Sequence, residues 1–418
     1  MDQGAHSQDE VVEGFDVMAT RRDFPILTER VNGRELVFLD SAASTQRPKQ
    51  VLDALRAFET TSYANVHRGV HTLSQRATKA YEDARLKVQR FLNAGAEEEI
   101  IFTSGTTDAI NLVAATYGRR FVSEGDEIVV TTMEHHSNIV PWQMLCEDVG
   151  AVLKVIPVNN AGELDLAVAK VLVGPRTKLV CVGHVSNALG TINPVEEIIG
   201  LARAHGALTL IDGAQAVAHL KVDVQALDCD FYVFSGHKIY GPNGVGVLYG
   251  KRRVLDAMPP WKGGGDMIVS VSFEGTEYAQ PPAKFEAGTP NITGAVGMGA
   301  AIDYLEKLDW PALEAHEASL LAYGHAQLAT VPGLELVGTA AKKAGVLSFL
   351  VEGINAQDLG TILDQEGVAV RVGHHCAQPL MDHLGIPGTV RASLGLYNTR
   401  DDIDRLVKGL HTAVELLG

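Results

Sequence analysis

Apolar residues in the first hundred positions recur at helical spacing. After Pro48, a favourable first helical position, Val51, Leu52, Leu55 and Phe58 mark one face. From Ser74 to Asn93 the residues Ala77, Tyr81, Ala84, Val88 and Phe91 follow at spacings of four, three, four and three with charges between them, which predicts a helix with one buried stripe. From Glu99 the rhythm changes to short apolar runs alternating with helical segments, the pattern of a parallel sheet wrapped by helices. The runs are Ile100 to Thr103, Glu127 to Thr132, Val152 to Val158, Lys178 to Val185, Leu208 to Ile211, Phe231 to Phe234 and Val245 to Tyr249. Helical stretches fall between them at Asp108 to Tyr117, Asp165 to Val173 and Val195 to His205.

Nearly every run ends in polar or small residues that a core would not require. These are Ser104-Gly-Thr-Thr107, Glu134-His-His136, Ser186-Asn187, Asp212-Gly-Ala-Gln215 and Ser235-Gly-His-Lys238. Ligands of open parallel sheets sit beyond the carboxyl ends of the strands, so the five clusters are expected on one rim. The Gly/Pro-rich stretch from Pro259 to Pro290 reads as extended loop or hairpin, and a helix from Gly299 to Leu308 leads out of the sheet domain. Beyond it, strands (Val346 to Val351, Val368 to Val372, Thr389 to Leu394) alternate with helices (Ala356 to Gln365, Arg400 to Leu417) in a smaller α/β domain. The expected division is a large domain over 35–300 and a small one over 21–34 plus 301–418, preceded by a flexible acidic leader over 1–20.

Composition narrows the function classes. Among 418 residues, 35 Lys plus Arg stand against 51 Asp plus Glu, and the net charge of −16 argues against nucleic acid or an anionic membrane as partner. No apolar run approaches the roughly 18 residues of a membrane helix. The leader has neither a basic start nor an apolar stretch, so it does not read as a secretory signal. The four cysteines, Cys146, Cys181, Cys229 and Cys376, are scattered without a C-x-x-C pair, as expected in a reducing cytoplasm.

Three positions carry the chemistry. Lys238, between a buried strand and a glycine-rich turn, sits where desolvation can depress its pKa and suit it to forming a Schiff base. Asp212 ends an apolar strand; it could simply cap a helix, or keep a bound ring nitrogen protonated while Gln215 donates to a ring oxygen, the two partners that pyridoxal phosphate needs. Cys376, in Arg371-Val-Gly-His-His-Cys376-Ala-Gln-Pro379, is a thiolate nucleophile beside basic groups or a small buried hydrophobe. Gly105-Thr106-Thr107 opens a helix whose N-terminus favours an anion. Consecutive histidines in extended chain point to opposite sides, so neither Glu134-His-His136 nor His374-His-Cys376 reads as a metal site. His135 is better suited to stacking on a flat ring, and His136 to a structural role.

Together these segments, with Leu39-Asp-Ser-Ala-Ala43, His67-Arg-Gly-Val-His71, Phe285-Glu-Ala-Gly-Thr-Pro-Asn291 and Val390-Arg-Ala-Ser393, resemble the Suf-type (group II) cysteine desulfurases. That group includes the selenocysteine lyases and lies within the class V aminotransferase family. The resemblance implies a type I PLP-transferase fold, with a mostly parallel seven-stranded sheet domain and a smaller α/β C-terminal domain. It also implies the conversion of L-cysteine to L-alanine with a persulfide on Cys376, supplying sulfur for iron–sulfur cluster assembly. Lys238 would hold pyridoxal 5′-phosphate covalently and His135 would stack on it. Thr106, Thr107, Ser235 and His237 would hold the phosphate, with Thr289 supplied by the second subunit of a homodimer. Asn187 and Arg391 would grip the substrate carboxylate, and His67 and Arg371 would line the entrance. Members that deliver sulfur to a zinc-bearing SufU-like acceptor often carry a histidine nineteen residues before the catalytic cysteine; Gln357 stands there, which points to a SufE-like acceptor. A selenocysteine lyase, or an aminotransferase of the same fold, is the alternative.

Overall fold

Val129 and Val130 are neighbours in the chain but belong to different hydrophobic cores, and the same alternation runs through the large sheet. The computed structural model describes residues 11, 12 and 14–418. Its central sheet has seven strands, β1 (Ile100–Thr103), β2 (Glu127–Thr131), β3 (Val152–Ile156), β4 (Thr177–Gly183), β5 (Leu208–Asp212), β6 (Phe231–Ser235) and β7 (Gly246–Gly250). They lie in the order β1-β7-β6-β5-β4-β2-β3. On one face Val129, Val180, Ile211 and Phe234 are buried; on the other Val130, Leu179, Leu210 and Val233 pack with Trp142 and Leu145. A sheet covered on both sides needs apolar side chains in both directions, which is why its strands read as near-continuous apolar runs.

Helices α1 (Lys49–Thr61), α2 (Thr72–Phe91) and α3 (Thr106–Val113) precede or follow the first strand. In α2 the stripe of Ala77, Tyr81, Ala84 and Val88 is buried as the spacing predicts, whereas Leu52 of α1 is 41% exposed and lies off the core face. Several helices went unforeseen, the longest being α4 (Val140–Val149) and one introduced below. Helix α5 (Leu166–Leu172) and helix α6 (Val195–Ala204) lie within one or two residues of their expected bounds. Helix α7 (Ile292–Leu305) starts seven residues before the expected Gly299, because the Asn291 side chain accepts a hydrogen bond from Gly294 N at 2.9 Å and caps it there. The Gly/Pro-rich stretch holds the hairpin Ile268–Val271 with Thr276–Tyr278.

Six strands run in one direction, and β7 alone runs against them. Its first residue therefore sits on the rim where the others end. There Gly246 faces both Ser235 and Thr103. A Cβ at Gly246 would stand 2.5 Å from the Gly105 Cα and 2.8 Å from the Phe234 carbonyl oxygen, so only glycine lets the two backbones meet.

The second domain is a four-stranded antiparallel sheet with the order β8-β9-β11-β10, made of β8 (Leu334–Val337), β9 (Val346–Val351), β10 (Arg371–Gly373) and β11 (Thr389–Ser393). Helices α8 (Trp310–Leu328), α9 (Ala356–Gln365) and α11 (Arg400–Leu417) cover it, and the short helix α10 (Gln378–Leu384) joins β10 to β11.

The domain bounds differ from those expected in three places. Val37–Phe38 pairs with Val368–Ala369, and Val37 and Leu39 lie in the small-domain core, so the chain enters the large domain after Asp40 and not at 35. Phe24 and Leu27 pack in the large core, with Phe24 edge-on to Tyr240, Tyr304 and Tyr397, so the start of 21–34 sides with the large domain, while Asn32 and Arg34 bond to Asp364 and Glu366 of the small one. The leader expected over 1–20 does not include residues 15–20, because Phe15 and Val17 are buried, Asp16 caps the helix Val17–Arg22, and Arg21 reaches Asp402 at 3.0 Å. Residues 1–10 and Glu13, which carry most of the leader's acidic side chains, lie outside the described residues.

Gly246→Ala is expected to lower unfolding stability by about 1–3 kcal/mol through overpacking at Gly105, and to weaken anion binding at the start of α3. Urea denaturation and phosphate titration of the variant check this; a native urea midpoint would show that the rim can yield.

Candidate active site

The rim encloses a cavity of about 500 Å³. Thr106 and Thr107 reach it from the start of α3, Glu134 and His135 from beyond β2, Ser186 and Asn187 from beyond β4, Asp212 and Gln215 from the end of β5, and Ser235, His237 and Lys238 from the end of β6. All five sequence clusters therefore converge. The small domain closes the other side with Arg371 on β10, His375 and Cys376 on the following loop, and Arg391 on β11.

Lys238 keeps some surface open to the cavity, yet protein surrounds its amine closely. Desolvation lowers its pKa to about 8, against the pull of the Asp212 carboxylate. Asp212, 7% exposed, is shifted the opposite way by burial, while a hydrogen bond from Ala214 N at 2.9 Å and the charge of Lys238 restrain the rise. His135 accepts a hydrogen bond from Ser137 N at 3.1 Å, and burial together with Lys238 holds its pKa at about 4, so its ring is neutral at pH 7. His237 is held at about 4 by the same two causes.

The start of α3 is tied to the end of β6. Ser235 Oγ accepts from Thr106 N at 2.8 Å and lies 2.8 Å from Thr106 Oγ1. Gly105, at φ +157°, precedes the helix and offers no side-chain cap, which leaves the helix N-terminus and its hydroxyls facing the cavity. Gln215 is partly engaged, because one amide hydrogen goes to the Ala42 carbonyl at 2.7 Å.

Arg391 is 2% exposed. Its Nη1 donates to Asn187 O at 2.8 Å and its Nη2 to Asp40 at 3.2 Å, but its Nε is buried without a partner. A lone guanidinium N–H beside a cavity fits an anionic ligand group, since a buried donor left unpaired is costly. Arg371 forks onto Asp40 with Nε at 3.0 Å and Nη2 at 2.8 Å, so one carboxylate holds both arginines. Desolvation lowers Arg391 to about 10 against the pull of Asp40.

Cys376 is the exposed thiol; Cys146, Cys181 and Cys229 are buried, and desolvation pushes Cys229 up to about 12. Cys376 lies near enough to Lys238, Arg371 and Arg391 for its thiolate to favour their charged forms.

Two expected residues are not in this cavity. His67 lies in a separate depression, its ring nitrogen 2.8 Å from Glu82, which in turn bonds the buried Arg85. Thr289 is exposed and lines another hollow with Ser104 and Trp261. Three participants were unassigned from sequence. Asp40, inside a quoted motif, orients both arginines. Glu134 is 1% exposed and accepts from Thr131 Oγ1 at 2.6 Å, Asn138 Nδ2 at 2.6 Å and Gly183 N at 3.0 Å, yet burial raises its pKa to about 7. His375, 7% exposed, keeps Nδ1 unpartnered beside the cavity. A carboxylate or imidazole next to an apolar run was the available signal for each. Among the described residues no three His, Cys, Asp or Glu side chains converge as metal ligands, and no helix is long and apolar enough to cross a membrane.

The arrangement offers a reactive amine, a buried carboxylate, an anion cradle at a helix N-terminus, a neutral imidazole face and a free thiol in one cavity. It can hold a phosphorylated ring aldehyde and the carboxylate of an amino acid.

Residues 37–406 match the family model described as aminotransferase class-V. The chain is 55% identical to a cysteine desulfurase of Dickeya dadantii (strain 3937), over 97% of this chain and 99% of that protein. It is 56% identical to one of Enterobacter sp. (strain 638), over 97% and 100%. It superposes on the crystal structure of the cysteine desulfurase CsdA (S-sulfonic acid) from Escherichia coli with a TM-score of 0.90 at 41% identity, covering 97% of this chain and 100% of that one.

Once hydroxylamine has removed any bound carbonyl compound, modification of Lys238 by trinitrobenzenesulfonate, followed by mass spectrometry against pH, is expected to rise with a midpoint near 8. The amine is protonated and inert below that value and free above it. A midpoint near the ordinary lysine value of about 10.4 would contradict the desolvation.

Proposed function

Because the chain belongs to the class-V aminotransferase family, and to its cysteine desulfurases, we propose that it converts L-cysteine to L-alanine and takes the sulfur onto Cys376 as a persulfide. The observation that carries this reading is an exposed thiol on the same cavity as a desolvated lysine and a buried arginine with an unpaired N–H. An aminotransferase would have no use for that thiol.

The cofactor is pyridoxal 5′-phosphate, and the residues present fit it. Lys238 offers the amine for its aldehyde, Asp212 the carboxylate for its ring nitrogen, and His135 a neutral ring for its face. Thr106, Thr107, Ser235 and His237 surround the helix N-terminus suited to its phosphate. When bound, it supplies the electron sink that makes the Cα proton of an amino acid labile. The protein's own residues do the rest. Asn187 and Arg391 hold the substrate carboxylate, with Asp40 fixing the direction of Arg391. The Lys238 amine, uncharged above about pH 8, takes the Cα proton at Nζ and later returns one. The Cys376 thiolate attacks the substrate sulfur: the S–S bond forms, the Cβ–S bond breaks, and the electron pair stays on carbon to be protonated as alanine. The net change is L-cysteine plus a thiol giving L-alanine plus a persulfide.

The placement of His67 and Thr289 outside the cavity of their own chain supports a homodimer in which each subunit lends these residues to the other. The short loop at Cys376 and the inserted hairpin support a Suf-type enzyme, and Gln357, exposed on α9, supports a SufE-like sulfur acceptor over a zinc-bearing one. The destination of the sulfur is iron–sulfur cluster assembly in the cytoplasm.

Purified protein given L-cysteine is expected to form alanine, faster when a SufE-like acceptor is added. Cys376→Ser should lower that rate at least about 100-fold with the bound cofactor's absorbance intact, and full activity of the variant would remove Cys376 from the reaction. Arg391→Lys, which loses the forked geometry, should raise KM for L-cysteine about 10-fold or more. A higher kcat/KM with L-selenocysteine and no acceptor dependence would favour the lyase reading.

A further inference from the structure

The loop that carries Cys376 has an unfavourable backbone. His375 and Cys376 adopt φ of 53° and 56°, consecutive non-glycine residues in the left-handed region, and such positions persist only where surroundings over-determine them. The local sequence offers little support. Helix α10 begins two residues later with Ala377 as its N-cap, which has no side chain to satisfy the first N–H groups.

Two residues across the domain boundary hold the loop: the Asn187 amide donates to the His375 carbonyl, and His136 makes two bonds further along. The His136 backbone N–H donates to the Cys376 carbonyl at 2.7 Å, and the His136 ring nitrogen Nε2 accepts from the Gln378 N–H at 3.1 Å. A backbone N–H can only donate, so Nε2 carries the lone pair. The two bonds fall on either side of Ala377, directly after Cys376. His136 follows His135 directly, and the two rings stand 6.3 Å apart at 50° to each other, one on the cavity and the other on the loop. One peptide unit thus joins the ring beside the reacting amino acid to the ring that seats the thiol.

We propose that His136 is a positioning residue for sulfur transfer: its imidazole caps α10 from the large domain and holds the left-handed Cys376 turn over the cavity. The proposal rests on the reading of Cys376 as sulfur acceptor, but its structural half stands without substrate.

The test uses the holoenzyme and its variants. In His136→Ala, hydrogen exchange of the peptide spanning Cys376 to Leu380 should quicken about 10-fold, and iodoacetamide should alkylate Cys376 several-fold faster, because the cap is gone. The kcat for alanine formation should fall about 10- to 100-fold with KM changed less than about 3-fold, as expected when a nucleophile is displaced by an ångström. His136→Gln, whose side-chain oxygen can accept from Gln378, should restore exchange and kcat to within about 3-fold of native. Should His136→Ala fail to fold or to retain cofactor, Gln378→Pro, at the first position of α10, removes the donor and should reproduce the loss of kcat. Native exchange and native kcat in His136→Ala would overturn the proposal, as would a loss of kcat with unchanged exchange and no rescue by glutamine. Quickened exchange alongside alanine formation independent of Cys376 would instead defeat the reading of the thiol while leaving the cap in place.

Discussion

The Lys238 amine is surrounded by protein that strips its water, and no hydrogen-bond partner for it is found among the described residues. Desolvation brings its pKa to about 8, so a useful fraction of free base exists near neutrality. That state requires the rest of the site. Asp212 must be near enough to keep the lysine from losing its proton altogether, and distant enough to remain available to a ligand. The seven-stranded sheet meets both demands by ending β5 and β6 side by side, with Asp212 as the last residue of one and Lys238 three residues past the other. Parallel neighbours of similar length bring unlike polar groups to one edge without any long connection having to carry them there.

The second domain contributes what the sheet cannot. The edge supplies an amine, a carboxylate and an anion cradle, while the exposed thiol and the buried guanidinium come from β10, its following loop and β11. Asp40 stands where the chain passes between the domains, bridging to Ser393 and receiving both Arg371 and Arg391. The orientation of two cavity-lining cations thus depends on a residue at the domain crossing, which ties the closure of the cavity to its charge.

Much of this was legible in the sequence. The strands lie within one or two residues of their apolar runs because a sheet buried on both faces forces such runs. The reversal of β7 was not read, although a signal existed: β6 and β7 are joined by a short loop with no α-helix, too little chain for a parallel crossover, so β7 must run backwards. The rim clusters were found because polar residues after apolar strands have no core purpose. Asp40, Glu134 and His375 were left without roles because their meaning depends on partners outside their own motifs: Arg391 for the first, Gly183 for the second, and Thr389, 2.8 Å from the ring, for the third. The domain crossing was placed too early because Val37 and Leu39 read as apolar residues that either core could take.

The burial of Cys146, Cys181 and Cys229 also bears on what happens after the reaction. A persulfide is itself open to attack by any thiol that reaches it, and an accessible cysteine on the same surface would close a disulfide and release the sulfur as sulfide. With its three other thiols enclosed, a single chain cannot discharge itself in this way. On the proposed reading, sulfur taken onto Cys376 would stay there until a thiol from outside arrived, and the timing of its departure would belong to the acceptor and not to the enzyme.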